Sequence, residues 1–260
     1  MQSQLSNQNQ GLGNLKMAFG PNQANAKMFL YVLPIFLLVG IVLIGSIPIG
    51  GIGMWVVAAG LYWGYRAQLR ASVEVYEQGV ALTDWMGRQK SFRWDDVTEV
   101  YEFVGYHQRT WSANQWVYTV HTRDGQQIKL DMAYEKTRQL GQAVLTETGK
   151  KFLPQYLELY RAGRDVPIAN GIAVNAQGFV AGGESLPWNQ VSKVAFGKQG
   201  DLMIHQVDRR VPWKLLMHPR IANYASFRAF LHEVGASGLI QPLIEDPLYE
   251  QSRKMQERQR

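Results

Sequence analysis

Asp95 and Asp96, directly after Trp94, are the closest approach in this chain to a carboxylate pair able to move a proton or hold a metal. A related stretch downstream has Asn189 and Gln190 after Trp188. An amide can replace a carboxylate in a turn or a cap, but not in proton transfer or metal ligation. The pair therefore reads as local backbone capping, and the two tryptophans as packing anchors. The histidines, His107, His121, His205, His218 and His232, never fall two to four residues apart, the spacing by which one element presents two metal ligands. The chain has no phosphate-binding loop, dinucleotide fingerprint or nucleophile elbow, and Gly50-Gly51-Ile52-Gly53 sits inside an apolar stretch. With no cysteine, disulfide and thiolate chemistry are excluded. The sequence thus predicts no catalytic residue, metal site or cofactor, and a protein that is not an enzyme.

Residues suited to binding are easier to find. Arg88, Lys90 and Arg93 lie on the hairpin turned by Met86-Gly87-Arg88. Asp208-Arg209-Arg210 and Lys214 form a second, weaker basic group. Between Gly105 and Asn114, a loop long for a hairpin carries Tyr106, His107, Arg109 and Trp111, types suited to a protein partner or a bilayer interface. The formal net charge is +6. Its excess beyond the apolar stretch is small and mixed with acids, which argues against nucleic acid as a partner.

The elements that must position these residues begin with a membrane segment. From Met28 to Tyr65 there is no Asp, Glu, Lys, Arg or His, and all 21 acidic residues come later. As one helix at ~1.5 Å per residue, that run would reach nearly twice the ~30 Å hydrocarbon core. Gly45 to Gly53, with Pro48 and four glycines, predicts a turn in its middle. A two-helix transmembrane hairpin results, spanning about 28–46 and 50–66. Tyr31, Trp63 and Tyr65 match an interfacial aromatic belt, and Ala58, Ala59, Gly60 and Gly64 are small enough for close helix packing. Lys16 and Lys27 before the hairpin, with Arg66 and Arg70 after it, place both termini in the cytoplasm of a cell-membrane protein. A cleaved signal peptide is disfavoured, because the Gln/Asn-rich leader is not a compact basic region. Spans without ionisable residues argue against a channel or transporter. The polar leader, residues 1–26, is expected to be disordered.

The remainder reads twice. Gln78-Gly79-Val80 followed by Phe92-Arg93-Trp94-Asp95-Asp96-Val97 matches Gln177-Gly178-Phe179 followed by Leu186-Pro187-Trp188-Asn189-Gln190-Val191. Gln127-Ile128-Lys129-Leu130 faces Pro212-Trp213-Lys214-Leu215. A repeat at this long spacing means tandem domains. Each copy shows short alternating strands with Gly turns and then an apolar helical face: Phe152, Tyr156 and Tyr160 in the first, Tyr224, Phe227, Phe230, Leu231 and Val234 in the second. An antiparallel sheet closed by a C-terminal helix is the economical architecture.

These motifs, with Tyr76-Glu77-Gln78-Gly79-Val80 and the linker Arg161-Ala162-Gly163-Arg164-Asp165-Val166-Pro167, resemble the pleckstrin-homology-like superfold over roughly residues 68 to 236. Hairpin and repeat together resemble a family of membrane-anchored tandem pleckstrin-homology-like proteins of unknown function. The resemblance implies α+β architecture after the hairpin, with domains at 70–165 and 166–238 and a charged tail at 239–260. Lipid-reading members of the superfold place phosphate-binding Lys and Arg on an early strand hairpin, which makes Arg88, Lys90 and Arg93 the lipid-binding candidates. Tyr106, Arg109 and Trp111 are the candidates for a partner. The expected role is a membrane-anchored binding or scaffold protein for a protein partner or membrane component, with phospholipid head-group sensing as the alternative.

Overall fold

The computed structural model describes residues 11–105, 115–169, 171–196, 202–216 and 221–241. The candidates Tyr106, Arg109 and Trp111, and the tail after Gln241, lie outside the described residues. The architecture is α+β, with four sheets that are antiparallel except at one short bridge.

The first sheet runs in the order β1 (Leu15–Phe19), β2 (Ser72–Tyr76), β3 (Gly79–Thr83), β4 (Gln89–Arg93). Val73 and Val75 of β2 are buried while Ser72, Glu74 and Tyr76 are half-buried, the period of two that a sheet with one covered face imposes. β1 is drawn from the leader that composition marks as disordered. Its backbone ladders onto β2, and Leu12 and Phe19 are buried, Leu12 lying over Gly79. Backbone pairing with a distant strand has no signature in local composition.

Between β1 and β2 the chain forms two packed helices, α1 (Gln23–Ser46) and α2 (Pro48–Gln68). The break is a single residue, Ile47. Pro48 opens α2, where its missing N–H leaves no bond unmade, so Gly50, Gly51 and Gly53 are helical rather than part of a long turn. The helices come close at Gly40 and Gly51: a Cβ on Gly51 would lie 2.8 Å from the Gly40 carbonyl oxygen. Of the small residues marked in the sequence, Ala58 is buried, whereas Gly60 has nothing within 4 Å and Gly64 only Phe29 at 3.7 Å. Most of the apolar surface is uncovered, Leu38 being 64% and Val42 71% exposed.

One of these helices, over Ala26–Ser46, is long and apolar enough to cross a membrane by length and composition. The charge-free run and its central Pro and Gly predict two such helices. α2 falls short because its glycines and the rings of Trp55, Tyr62, Trp63 and Tyr65 dilute the aliphatic content.

After β4 come a 3-10 turn (Trp94–Asp96), β5 (Val97–Gly105), β6 (Gln115–Thr122), β7 (Gln127–Leu130) and α3 (Thr137–Arg161). The order then recurs: β8 (Val166–Ala169), β9 (Ile172–Asn175), β10 (Gly178–Ala181) and β11 (Glu184–Pro187) form a four-stranded sheet. A 3-10 turn (Trp188–Gln190), β12 (Val191–Phe196), β13 (Leu202–Gln206), β14 (Lys214–Leu216) and α4 (Tyr224–Glu233) follow. β15 (Ile240–Gln241) pairs parallel with β12.

The repeat holds in detail. The Trp94 indole N–H donates to the Tyr76 carbonyl and that of Trp188 to the Asn175 carbonyl, both at 3.2 Å. Gly79 and Gly178 each lie under the next strand so closely that a Cβ would overlap the carbonyl oxygen of Phe92 or Leu186. Arg123 N–H reaches the Asp96 carbonyl at 2.7 Å as Val207 N–H reaches that of Gln190 at 2.8 Å. Both tryptophans are therefore anchors, and β1 is the counterpart of β8. The helical pair stands where the second copy turns through Gly171, at φ +74°.

The chain divides into two compact units, Met1–Thr98 with His107–Val144, and Glu99–Tyr106 with Leu145–Arg260. In the first, Leu140 and Val144 of α3 are buried, and Tyr118 covers Gly141 so tightly that no Cβ would fit. In the second, Phe227, Phe230 and Leu231 are fully buried, with Phe230 edge-on to Tyr156 at 6.0 Å and Tyr160 at 5.5 Å. Those rings lie on the helical faces that the spacing marks.

Asn223, before α4, is left-handed (φ 51°) and buried. Its N–H donates to the Val100 carbonyl at 2.8 Å and its Oδ1 accepts from Val100 N–H at 2.9 Å. Its Nδ2 donates to the Tyr156 hydroxyl at 3.2 Å. Replacing Asn223 by Ala strands buried polar groups and should cost at least about 2 kcal/mol. Asn223→Gly accepts the left-handed backbone yet makes neither side-chain bond. Both variants should therefore lower the thermal midpoint of the full chain in detergent; an unaffected Gly variant would mean that backbone conformation alone is what Asn223 supplies.

Candidate functional site

In the first unit, a cavity of about 270 Å³ is lined by Leu82, Asp84, Trp85 and Lys90 on the β3–β4 side and by Gln127, Ile128, Lys129, Asp131, Ala133 and Tyr134 on the β7 side. Asp84 shapes one wall. Its Oδ1 accepts from Met86 N–H and Arg88 N–H, both at 2.9 Å, and its Oδ2 meets the Arg88 guanidinium at 2.7 Å. Gly87, at φ +79°, supplies the left-handed residue that this turn requires. Desolvation alone would raise the Asp84 carboxyl. The Arg88 N–H, the Arg88 guanidinium and charge, and the Met86 N–H outweigh it and hold the group below the ordinary carboxylate range.

On the opposite wall, Asp131 pairs with Lys129 at 3.7 Å and accepts from Ala133 N–H at 3.0 Å. Tyr134 is only 4% exposed, and burial pushes its phenol up to about 12, with the charges of Asp131 and Asp84 adding to the effect. Its hydroxyl has no hydrogen-bond partner among the described residues.

Both walls are tied to the helical pair. The segment leading into α1 bonds to the Tyr134 wall: Asn22 N–H donates to the Ala133 carbonyl and Glu135 N–H to that of Gly20, both at 2.9 Å. Trp63, in the last turns of α2, meets Trp85 of the other wall edge-on at 6.5 Å. Trp85 and Met86 are about half exposed beside it. The cavity therefore sits at the root of the helices.

The structure places the three basic residues singled out in the sequence in three different settings. Lys90 lines the cavity. Arg88 is engaged with Asp84 at the turn. Arg93 bonds to the Gly11 carbonyl and to Gln78 Oε1, both at 3.0 Å. It stands at odd spacing from Lys90 on an alternating strand and so belongs to the opposite face. Lys129, Asp131 and Tyr134 were missed, since nothing local marks β7 and its exit as facing the β3–β4 turn. In the second unit, strand register sets Lys214 opposite Ile204 as Ile128 is set opposite Val120. This moves the repeat alignment by one residue from the sequence match. There Glu184, the counterpart of Lys90, is paired with Lys214 at 3.3 Å. No group of three or more potential metal ligands occurs among the described residues.

The chain is thus α+β, built of two like copies, with an apolar helix inserted in the first and a cavity at its root. The chain belongs to the family of unknown function DUF6585, whose model matches residues 1–236. No curated protein matches it.

Tyr134 makes the cavity observable by titration. A phenol raised in the folded state and ordinary in the unfolded one leaves stability intact below about pH 10 and erodes it as pH rises towards 12. Ultraviolet titration of the native chain should show late-ionising tyrosines, and Tyr134→Phe should remove one of them. Unchanged late absorbance in that variant would place the Tyr134 phenol in contact with solvent.

Proposed function

We propose that the chain is a non-enzymatic, membrane-anchored binding protein. α1 and α2 enter the bilayer as a hairpin, and two pleckstrin-homology-like modules face the cytoplasm to engage a protein partner or a membrane component. The observation that carries this reading is the pairing of β1 with β2. These strands flank the helical pair and share one sheet, so the chain must leave and return on the same side. That ladder favours a hairpin over a single crossing. With α1 as one span, α2 is the return, and at ~1.5 Å per residue its 21 residues reach about 31 Å, enough for the ~30 Å core. Cleavage after α1 would strip β1 from its sheet, which weighs against a signal peptide. A buried core helix is no better an account, since α1 is largely uncovered.

The module assignment rests on the succession in each copy of four strands, a Trp-anchored turn, three strands and a helix. A second reading, phospholipid head-group recognition, gains from the cavity at the helix root. It then centres on Lys90 with Lys129 and Tyr134, rather than on the trio of Arg88, Lys90 and Arg93.

The chain has no cysteine, so single cysteines at Ser3, Ile47 and Ser252 report topology cleanly. The protein should stay in the pellet after alkaline carbonate. An impermeant maleimide should label the Ile47→Cys variant in intact cells, and the Ser3→Cys and Ser252→Cys variants only after lysis. Release by carbonate, or equal labelling at 3 and 47 in intact cells, would sink the hairpin.

A further inference from the structure

We infer that the cavity of the first unit is a binding site for an ammonium-bearing phosphodiester, the head group of a zwitterionic phospholipid or its soluble glycerol counterpart. The inference rests on the head-group reading above and narrows it to one charge type. A buried hydroxyl without a partner is uncommon in folded chains and marks a place where an acceptor belongs. The Tyr134 phenol, buried in the cavity wall and unpartnered among the described residues, is such a donor. Lys90 has no ion-pair partner among the described residues either, and together these two can hold a phosphate oxygen.

The rest of the lining decides what accompanies the phosphate. Asp84 and Asp131 set two carboxylates beside Lys90 and Lys129, Asp84 being held by Arg88 and Asp131 by Lys129. A polyphosphorylated head group would bring several negative charges against both carboxylates, and a simple cation would meet both lysines; each arrangement is repulsive in a partly desolvated site. A zwitterion satisfies both halves: phosphate towards Lys90, Lys129 and Tyr134, ammonium towards the carboxylates and the face of Trp85. The volume of about 270 Å³ is just below the roughly 300–1,000 Å³ of sites that bury drug-sized ligands, which suits a head group alone. Location adds the last support, because both walls are tied to the ends of the apolar helices. A lipid beside α2 would have its head group at this height. In the second unit the Glu184–Lys214 ion pair occupies the corresponding place.

The test is calorimetric titration of the full chain in a maltoside detergent, which carries no phosphate. The probes are glycerophosphoethanolamine, glycerophosphocholine, inorganic phosphate, inositol trisphosphate and a short-chain phosphatidylethanolamine. At least one zwitterion should bind more tightly than phosphate and inositol trisphosphate. Tyr134→Phe and Lys90→Gln should each weaken it by about fivefold to tenfold, while Lys214→Gln leaves it unchanged. Lys90 is exposed, so its variant keeps the test valid if Tyr134→Phe compromises folding. Tighter binding of the acylated probe identifies the lipid as the source; equal binding identifies the soluble phosphodiester, and both sustain the site. Absence of zwitterion binding, preference for inositol trisphosphate, or indifference to both cavity variants overturns it. Detergent removes any need for insertion, so failure here is separable from failure of the carbonate and labelling experiments.

Discussion

The ladder between β1 and β2 is the constraint on which the first unit depends. Two strands that lie next to each other in the sheet are separated in the chain by the whole helical pair. Closing a long loop costs little more entropy than closing a short one, since the penalty grows only with the logarithm of length. The insertion is therefore tolerable provided the ends of the inserted element already lie close together. An antiparallel helical pair meets that condition by construction. A break of one residue at Ile47 and the backbone approach of Gly40 to Gly51 bring the two helix ends back together. A bulky residue at either glycine would force the helices apart, and the displacement would be felt at the strands they connect.

The two copies show which parts of the repeated frame are structural and which are free to diverge. The indole-to-carbonyl bond, the glycine under the next strand and the amide that reaches the 3-10 turn from the exit of β6 or β13 recur with nearly identical geometry. Asp95 and Asp96 give way to Asn189 and Gln190 inside that same frame, as expected where the backbone carbonyl of the second residue of each pair is what the frame uses. Divergence is concentrated at the β3–β4 turn and its counterpart. The first copy has Asp84, Trp85 and Lys90 around an open cavity; the second has Gly182-Gly183 and an internal ion pair between Glu184 and Lys214. An exposed pair of that kind contributes little to stability, but it neutralises the lysine that would otherwise be available to a ligand.

Much of the frame was legible because it is written in local pattern. The Gly–Trp spacing marked the repeat, the alternation in Val73-Glu74-Val75 marked a strand, and the i, i+4 rings marked the helical faces. The errors arose where long-range pairing overrides local composition. Gly11 to Phe19 looks like a polar leader, and only the ladder to β2 makes it part of a sheet. Pro48 and its glycines look like a turn, and the helix-start role of proline absorbs them. The site was half legible for the same reason. Lys90 stood out on its hairpin, whereas Lys129, Asp131 and Tyr134 became relevant only when β7 and its exit were seen to face Asp84 and Trp85. The Arg88–Lys90–Arg93 trio counted charge along a strand without its alternation, which sends Arg93 to Gly11 and Gln78.

The short connections at the root of the helices bear on how a weak site could be useful. Gly20-Pro21-Asn22 link β1 to α1, and Leu69-Arg70-Ala71 link α2 to β2. Both connections are held, the first by backbone bonds to Ala133 and Glu135 and the second by a succession of helix-ending bonds through Leu69, Arg70 and Ala71. A module on a flexible tether samples a volume set by the tether, and its effective concentration at the membrane falls as the tether lengthens. Here the chain runs from helix to strand almost without a tether, and it does so twice. On the proposed reading, the cavity is held at the bilayer surface at all times and its orientation is set by the helices. Modest intrinsic affinity then suffices for occupancy, because the ligand is the surrounding surface. Both carboxylates of the lining are already ion-paired, Asp84 with Arg88 and Asp131 with Lys129, which leaves little net charge to recruit a ligand from solution and is consistent with a site that does not have to search.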